Sequence, residues 1–168
     1  MRRIVLASSI FSAAVLAALG LAVAALAGPA VQPIAFNHKT HVDANSLECV
    51  DCHAHALDGV RATIPEIGVC AACHSEPQGD SAAEAEVVEH VRAGTPIAWV
   101  QVHWVPDHVY FSHRRHAALG EIACEVCHGK VRERVLPFTR PAVRLRMSWC
   151  IACHERTEAR NDCVACHR

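Results

Sequence analysis

The chain has 168 residues, a formal net charge of −1 and an apolar content of 52%. A charge so close to zero gives no sign of the basic surface that nucleic-acid-binding proteins carry, so no nucleic-acid partner is expected. The first 28 residues and the ten cysteines supply much of the apolar content, which leaves too few apolar side chains elsewhere for an ordinary core.

The N-terminal segment, residues 1–28, predicts a signal anchor or a signal peptide. Two arginines precede an almost entirely apolar run over residues 4–27, which is long enough to cross a bilayer as a transmembrane helix. Ala25-Leu26-Ala27 also matches a signal-peptidase site, so cleavage stays open. The length of the run favours an uncleaved anchor, with residues 29–168 on the periplasmic side of the bacterial inner membrane.

All ten cysteines belong to five Cys-x-x-Cys-His motifs, numbered 1 to 5 here in chain order. This motif attaches haem c: both thiols form thioethers with the haem, and the histidine binds the iron as proximal ligand. Zinc sites, redox dithiols and disulfides also use paired cysteines, but none of them requires histidine at the next position. The sequence therefore predicts five haems c. The motifs are Cys49, Cys52 and His53; Cys70, Cys73 and His74; Cys124, Cys127 and His128; Cys150, Cys153 and His154; and Cys163, Cys166 and His167.

A repeat organises the exported part. Residues 36–53 and 111–128 align without a gap, from a phenylalanine through two histidines to the Cys-x-x-Cys-His. A further motif follows each copy, so units of about 36–74 and 111–154 would each hold two haems, with a final haem at 163–167. The predicted fold is a small class III-like multihaem cytochrome c domain over residues 29–168, with few short α-helices and much irregular chain wrapped around five haems.

Between the two copies, one regular helix is predicted. Ser81 and Glu84 form a capping box, and the helix that follows should end at Gly94. Residues 95–111 contain β-branched and aromatic residues, but also two prolines, so they predict extended chain and not a central strand.

Five proximal histidines leave eight others for five distal positions. The best four candidates lead the two repeats, where the i, i+3 spacing turns both rings to one side: one ring can serve the haem that follows and the other a neighbouring haem. These four are His38, His41, His113 and His116. The apolar neighbours of His103 favour it as the fifth ligand, and Met147 is the main alternative because a thioether also binds haem iron. The remaining candidates are His55, His90 and His108, of which His108 lies in a Pro-Asp-His turn that could expose it.

Charge is unevenly distributed along the chain. The segment from Glu76 to Glu89 holds five acidic residues, and the segment from Lys130 to Arg146 holds six basic residues against one glutamate. Both segments are typical of solvated faces. The basic one could also offset haem propionates or dock an acidic partner.

Three segments resemble the pentahaem cytochrome c subunit of alternative complex III, and more distantly the multihaem subunit of the menaquinone reductase complex. They read TIPEIGVCAACH, GTPIAWVQVHWVPDHVYFSHRRH and MSWCIACHERTEARNDCVACHR. The paired histidine-and-motif units also resemble class III multihaem cytochromes in general. The likeness covers residues 33–168. It implies distal ligands at His38, His41, His103, His113 and His116.

The resemblance implies an electron-transfer subunit, itself no enzyme, in a membrane-bound quinol-oxidising complex of a respiratory or photosynthetic chain. Its partners would be an iron–sulfur protein, quinol-binding integral membrane subunits and a monohaem cytochrome c. A free periplasmic electron shuttle is the alternative and needs a cleaved leader. A multihaem reductase needs an open iron position, and histidines that outnumber the vacancies argue against one.

Overall fold

The chain divides into two compact units, residues 1–30 and 31–168. In this computed structural model the described residues are 15–17, 20–21 and 28–167. Most of the predicted membrane anchor over residues 4–27 therefore lies outside the described residues. Within them, no helix combines the length and the apolar character that crossing a membrane requires.

Short helices carry the Cys-x-x-Cys-His motifs, as predicted. A single helical turn brings the two cysteines of a motif to the same side, because residues three apart are neighbours on a helix. Among residues 31–167 no strand is assigned, and one isolated antiparallel bridge joins Val109 to His167. The α-helices of this part are α1 (Cys49–Cys52), α2 (Ile67–His74), α3 (Ala82–Ala93), α4 (Cys124–His128), α5 (Met147–Arg156) and α6 (Cys163–Cys166). Single 3-10 turns occur at Ala54–Ala56 and Val131–Glu133.

The two copies of the repeat fold alike. Each forms a π-helix, at Thr40–Ala44 in the first copy and Arg114–Leu119 in the second. The widened turn ends on an N–H that donates to the carbonyl five residues earlier, at 3.2 Å in the first copy and 3.0 Å in the second. The next residue in both has a positive φ, 55° at Ser46 and 50° at Glu121. Single π turns are rare and frequent at functional sites, and here each carries the second histidine of its repeat.

Helix α3 forms where the sequence predicts it. The hydroxyl of Ser81 accepts a hydrogen bond from the N–H of Glu84 at 3.1 Å, which satisfies one of the free donors at the helix start. Gly94 ends the helix in the left-handed conformation, with φ at 64°. The helix packs against α2, the helix of motif 2, and buries Val88. Motif 2 is thus packed against a helix that contains no Cys-x-x-Cys-His motif of its own.

The core that the polypeptide builds for itself is small. Among the described residues only Ile34, Ala56 and Val88 are buried apolar side chains, while Trp104 is 65% exposed. Hydrophobic stabilisation scales with the apolar area removed from water, so three side chains cannot hold a fold of this size together. A small polypeptide core is what the sequence predicts for a chain wrapped around haems.

The left-handed end of α3 makes Gly94 sensitive to substitution. A Cβ added there meets no heavy atom within 4 Å, so the cost of alanine comes from its φ alone. We expect Gly94→Ala to destabilise the haem-loaded protein by about 1 kcal/mol, a fall in Tm of roughly 2–4 °C for a chain of this length. Thermal unfolding followed by far-UV circular dichroism measures the change. Gly94→Asn is the matched control: asparagine tolerates this conformation, so an equal loss in both variants would contradict the explanation.

Candidate haem-binding sites

The attaching cysteines are available for thioether bonds. All ten lie in the described part of the chain, and all ten are unbridged. Burial raises the pKa of the Cys49 thiol, and the thiol of Cys124, in hydrogen-bonding contact with it, raises it further. Cysteines of different motifs are therefore brought together, although 75 positions of chain separate this pair.

Four pairs of imidazole rings face each other across a gap that suits a metal ion. Two nitrogen–metal bonds of about 2 Å each would place the two ring centres roughly 6 Å apart. Each pair joins the histidine of a Cys-x-x-Cys-His motif to a histidine outside the motifs, which is the donor set of a bis-histidine haem. The pairs are His41 with His74 at 6.1 Å, His113 with His128 at 6.2 Å, His116 with His154 at 6.1 Å and His108 with His167 at 5.6 Å.

The second histidines of the repeats are oriented by their own π-helices. The Nδ1 atom of His41 lies 2.8 Å from the carbonyl oxygen of Asn37, and that of His116 lies 2.9 Å from the carbonyl oxygen of Ser112. A carbonyl only accepts hydrogen bonds, so Nδ1 is the donor in both rings. A neutral ring of this tautomer carries its lone pair on Nε2, which leaves that nitrogen available to bind a metal.

Aromatic rings hold the leading histidines in the same way in both repeats. Phe36 stacks on His41 with ring centres 4.4 Å apart and meets His38 edge-on at 4.8 Å. The second copy reproduces this arrangement around Phe111, at 4.7 Å to His116 and 4.9 Å to His113. The repeated phenylalanine therefore fixes the angle between the two imidazoles, which point to two different motifs.

His38 lies beside motif 1. Burial, then the nearby ring of His53, lowers the pKa of His38 to about 4. Its Nδ1 atom is buried and has no hydrogen-bond partner in the described part of the chain. An imidazole held neutral at physiological pH, with an unsatisfied buried nitrogen, has the protonation state that metal ligation requires.

Backbone carbonyls orient two of the proximal histidines. The Nδ1–H of His53 donates to the carbonyl of Thr63 at 2.7 Å, and that of His154 donates to the carbonyl of Arg160. His113 is anchored across the repeats, because its Nδ1–H donates to the carbonyl of Val60 at 3.0 Å. Hydrogen bonds of this kind fix the tautomer of a metal-binding histidine and raise its basicity.

His74 differs from the other histidines of the motifs because its partner is a carboxylate. Its Nδ1–H donates to Oε1 of Glu84 at 3.1 Å, and both side chains are largely shielded, at 21% and 12% exposure. The same oxygen accepts the N–H of Gln78 at 2.6 Å. Hydrogen bonds from the backbone of Gln78 and from His74 lower the pKa of Glu84, so the carboxylate is ionised at neutral pH.

The structure places His103 beside motif 3. The sequence predicted this residue as the fifth distal ligand but did not indicate which haem it would serve. Its ring lies 4.5 Å from that of His128, edge to face, and 5.3 Å from Phe138. Burial lowers the pKa of His103, and its Nε2 is buried without a hydrogen-bond partner among the described residues. The expected apolar setting is present, but His128 faces the parallel ring of His113 at 6.2 Å.

The sequence ranked His108 below His103 and Met147, yet the structure brings it to motif 5. The isolated bridge between Val109 and His167, and a 2.7 Å hydrogen bond from the N–H of Tyr110 to the carbonyl of Cys166, align the two segments. No local sequence signal predicts this pairing, because it depends on two segments more than 50 residues apart. Antiparallel pairing of the chain is what sets His108 opposite His167.

The other candidate ligands lie elsewhere. His55 is paired with Asp58 at 3.0 Å and its side chain is 57% exposed. The Nδ1 of His90 is hydrogen-bonded to the hydroxyl of Thr95 at 3.0 Å. Met147 is 65% exposed at the first position of α5.

The basic segment makes one ion pair with the first repeat and one within itself. Arg132 binds Glu48, just before motif 1, at 2.9 Å, and Lys130 binds Glu133 at 3.0 Å. Arg134 lies over the ring of Phe138, 4.5 Å from its centre, in a cation–π contact. Part of this segment therefore fastens the second repeat to the first.

Two cytochrome c family models match the chain. Residues 21–103 match the model of the class III cytochrome c family, and residues 109–168 match that of cytochrome c7 and related cytochromes c. The chain is 32% identical over 161 residues to the multihaem cytochrome c subunit of menaquinone reductase from Nitratidesulfovibrio vulgaris (strain Hildenborough). That alignment covers 82% of this chain and 77% of the relative.

The matches cover both repeats, and cytochromes c hold their haem covalently through cysteines. The cysteine motifs and the facing histidines supply the ligands that such a haem needs. The chain belongs to the class III multihaem cytochromes c and is an electron-transfer protein that binds haem c covalently.

Proposed function

We propose that this chain carries five haems c, each held between two histidines, and conducts electrons within a membrane-bound quinone-linked complex of the alternative complex III type. The observation that carries the proposal is the set of imidazole pairs spaced for a metal between them. Bound haem iron supplies one-electron chemistry. Two histidines would hold each iron and leave it no open position for a substrate, so we propose that the chain conducts electrons and does not catalyse a reaction.

The repeats tie neighbouring sites together through their ligands. His41 stands in the segment that leads to motif 1, yet it faces His74 of motif 2. His116 stands in the segment that leads to motif 3, yet it faces His154 of motif 4. Each repeat therefore supplies ligands to two sites at once, which couples their positions rigidly.

Contacts between cysteines suggest the order of the sites. Motif 1 lies between two others: its Cys49 touches Cys124 of motif 3, and the pKa of its Cys52, raised first by burial, is raised further by Cys70 of motif 2. Motif 2, like motif 3, is thereby a neighbour of motif 1.

The same reasoning continues through the second repeat. Burial raises the pKa of Cys127 in motif 3, and the cysteines of motif 4 raise it further. Burial and then Cys166 of motif 5 raise the pKa of Cys150. The sites follow the order 2, 1, 3, 4, 5, so electrons would enter and leave at motifs 2 and 5.

The membrane complex is supported by the sequence resemblance and by the relative in Nitratidesulfovibrio vulgaris, a subunit of menaquinone reductase. We propose an iron–sulfur protein, quinol-binding integral membrane subunits and a monohaem cytochrome c as partners. The haem-bearing part would then lie on the periplasmic side of the inner membrane, because haem c is attached there, and residues 4–27 would anchor it.

Isolation from native membranes in mild detergent tests this proposal. We expect quinol-binding integral subunits to co-purify, the mature N-terminus to retain residues 4–27 and the ferrous protein to bind no carbon monoxide at neutral pH. Recovery of a soluble, processed chain without partners would instead indicate a free periplasmic shuttle. Stoichiometric binding of carbon monoxide by one haem would indicate an open iron and a reductase.

A further inference from the structure

We propose that His108 is the second axial ligand of the haem attached at motif 5, opposite His167. The inference rests on the proposed five-haem function and names a ligand that the sequence did not favour. It gives motif 5, at one end of the proposed series, the same bis-histidine ligation as the other four sites.

Ring geometry is the first support. The centres of His108 and His167 lie 5.6 Å apart and the ring planes differ by 16°. Two imidazole nitrogens bound to one metal require roughly 6 Å between the ring centres. The pair at motif 3 has the same near-parallel arrangement, at 6.2 Å and 8°.

The backbone that holds this pair is the second support. The antiparallel bridge between Val109 and His167 begins one residue after His108, and the N–H of Tyr110 donates to the carbonyl of Cys166 at 2.7 Å. A turn closed by the N–H of Val109 and the carbonyl of Pro106, at 2.9 Å, precedes the bridge. His108 is exposed, as its turn suggested, and the turn and the bridge together set its ring beside that of the proximal histidine of motif 5.

The position of the competing histidine is the third support. His103 contacts His128 at 4.5 Å, too close for a metal bonded to both rings, and its ring meets that of His128 edge-on. His128 already faces His113. His103 therefore packs beside motif 3, while His108 is the ring that faces motif 5.

The test compares three alanine variants in the haem-loaded, full-length protein. We expect His108→Ala to create one high-spin haem that binds one carbon monoxide per chain when reduced, with all five haems still covalently attached. His103→Ala and His55→Ala should remain low-spin and bind none. Electron paramagnetic resonance and carbon monoxide titration, normalised to haem content, give the readout. Opening of a haem by His103→Ala while His108→Ala stays closed would overturn the assignment.

A second variant separates ligation from packing. His108→Met offers a thioether to the same iron, so we expect one low-spin haem with a raised reduction potential and the absorption band of histidine–methionine ligation. A low-spin spectrum unchanged from the wild type would show that residue 108 does not bind iron. The spectrum of His108→Met still tests the assignment if His108→Ala does not fold with its haems attached. Neither measurement depends on the membrane partners, so failure of the co-purification would leave the ligand assignment intact.

Discussion

Replacing His41 with alanine is expected to open the haem of motif 2 and not that of motif 1, which is nearer in sequence. The His41 ring faces His74 with 6.1 Å between ring centres, so its removal leaves that iron with one protein ligand. The reduced variant should bind one carbon monoxide per chain, where the wild type binds none. His116→Ala should do the same at motif 4, because its ring faces His154 at 6.1 Å.

Removing the attaching cysteines of motif 2 shows whether the haem opened by His41→Ala is the one at that motif. In a background with Cys70→Ala and Cys73→Ala, which lacks the haem of motif 2, the further change His41→Ala should add no carbon monoxide binding. His38→Ala is the matched control: it belongs to the same repeat but lies beside His53, so it should open one haem in either background. Carbon monoxide binding by His41→Ala in the deleted background would mean that His41 serves motif 1.

Local motifs were the part of this site that sequence reasoning could identify. A Cys-x-x-Cys-His motif places its two attaching cysteines and its iron-binding histidine within five residues, so no knowledge of the fold is needed to predict what it binds. The leading histidines of the repeats were predicted because the pattern occurs twice. Which ring faces which motif was not predictable, because the pairs of His41 with His74 and His116 with His154 depend on how the segments pack.

The fifth distal position shows the limit of local chemistry. The apolar neighbours of His103 correctly indicated a shielded ring, and burial does lower its pKa. Burial does not say what a ring faces, however, and His103 lies against His128. The turn and the neighbouring proline counted against His108 as a ligand, but they report only on the residues next to it in sequence. The bridge between Val109 and His167, which is a tertiary contact, is what brings it to motif 5.

In the fold, too, features set by neighbouring residues were predictable and the others were not. Helix α3 was predicted because Ser81 and Gly94 mark its ends through local hydrogen bonds and backbone conformation. The capping box is only half reproduced in its contacts: the Ser81 hydroxyl caps the helix, while the Glu84 carboxylate binds His74 and Gln78. The π-helices at Thr40–Ala44 and Arg114–Leu119 have no comparable cue in composition.

Glu84 is expected to lower the reduction potential of the haem at motif 2. An ionised carboxylate that accepts the Nδ1–H of a metal-bound histidine makes the ring a stronger donor and so favours the ferric state. Substituting a residue that hydrogen-bonds to a metal ligand typically changes metal affinity about 10- to 100-fold. If the affinity for ferric iron falls tenfold relative to that for ferrous iron, the one-electron potential rises by about 59 mV. Glu84→Gln keeps the shape and the acceptor oxygen but removes the charge. One haem midpoint potential should therefore rise by on the order of 60 mV in a spectroelectrochemical titration.

Glu86→Gln is the matched control, because it removes the same charge from an exposed position on the same helix. If the hydrogen bond to His74 causes the shift, Glu86→Gln leaves every haem potential unchanged, and only Glu84→Gln alters one low-spin ferric signal. Equal shifts in the two variants would mean that the acidic helix acts through its overall field and not through His74. Since motif 2 lies at one end of the proposed series, a low potential there would favour its use as the site where electrons enter.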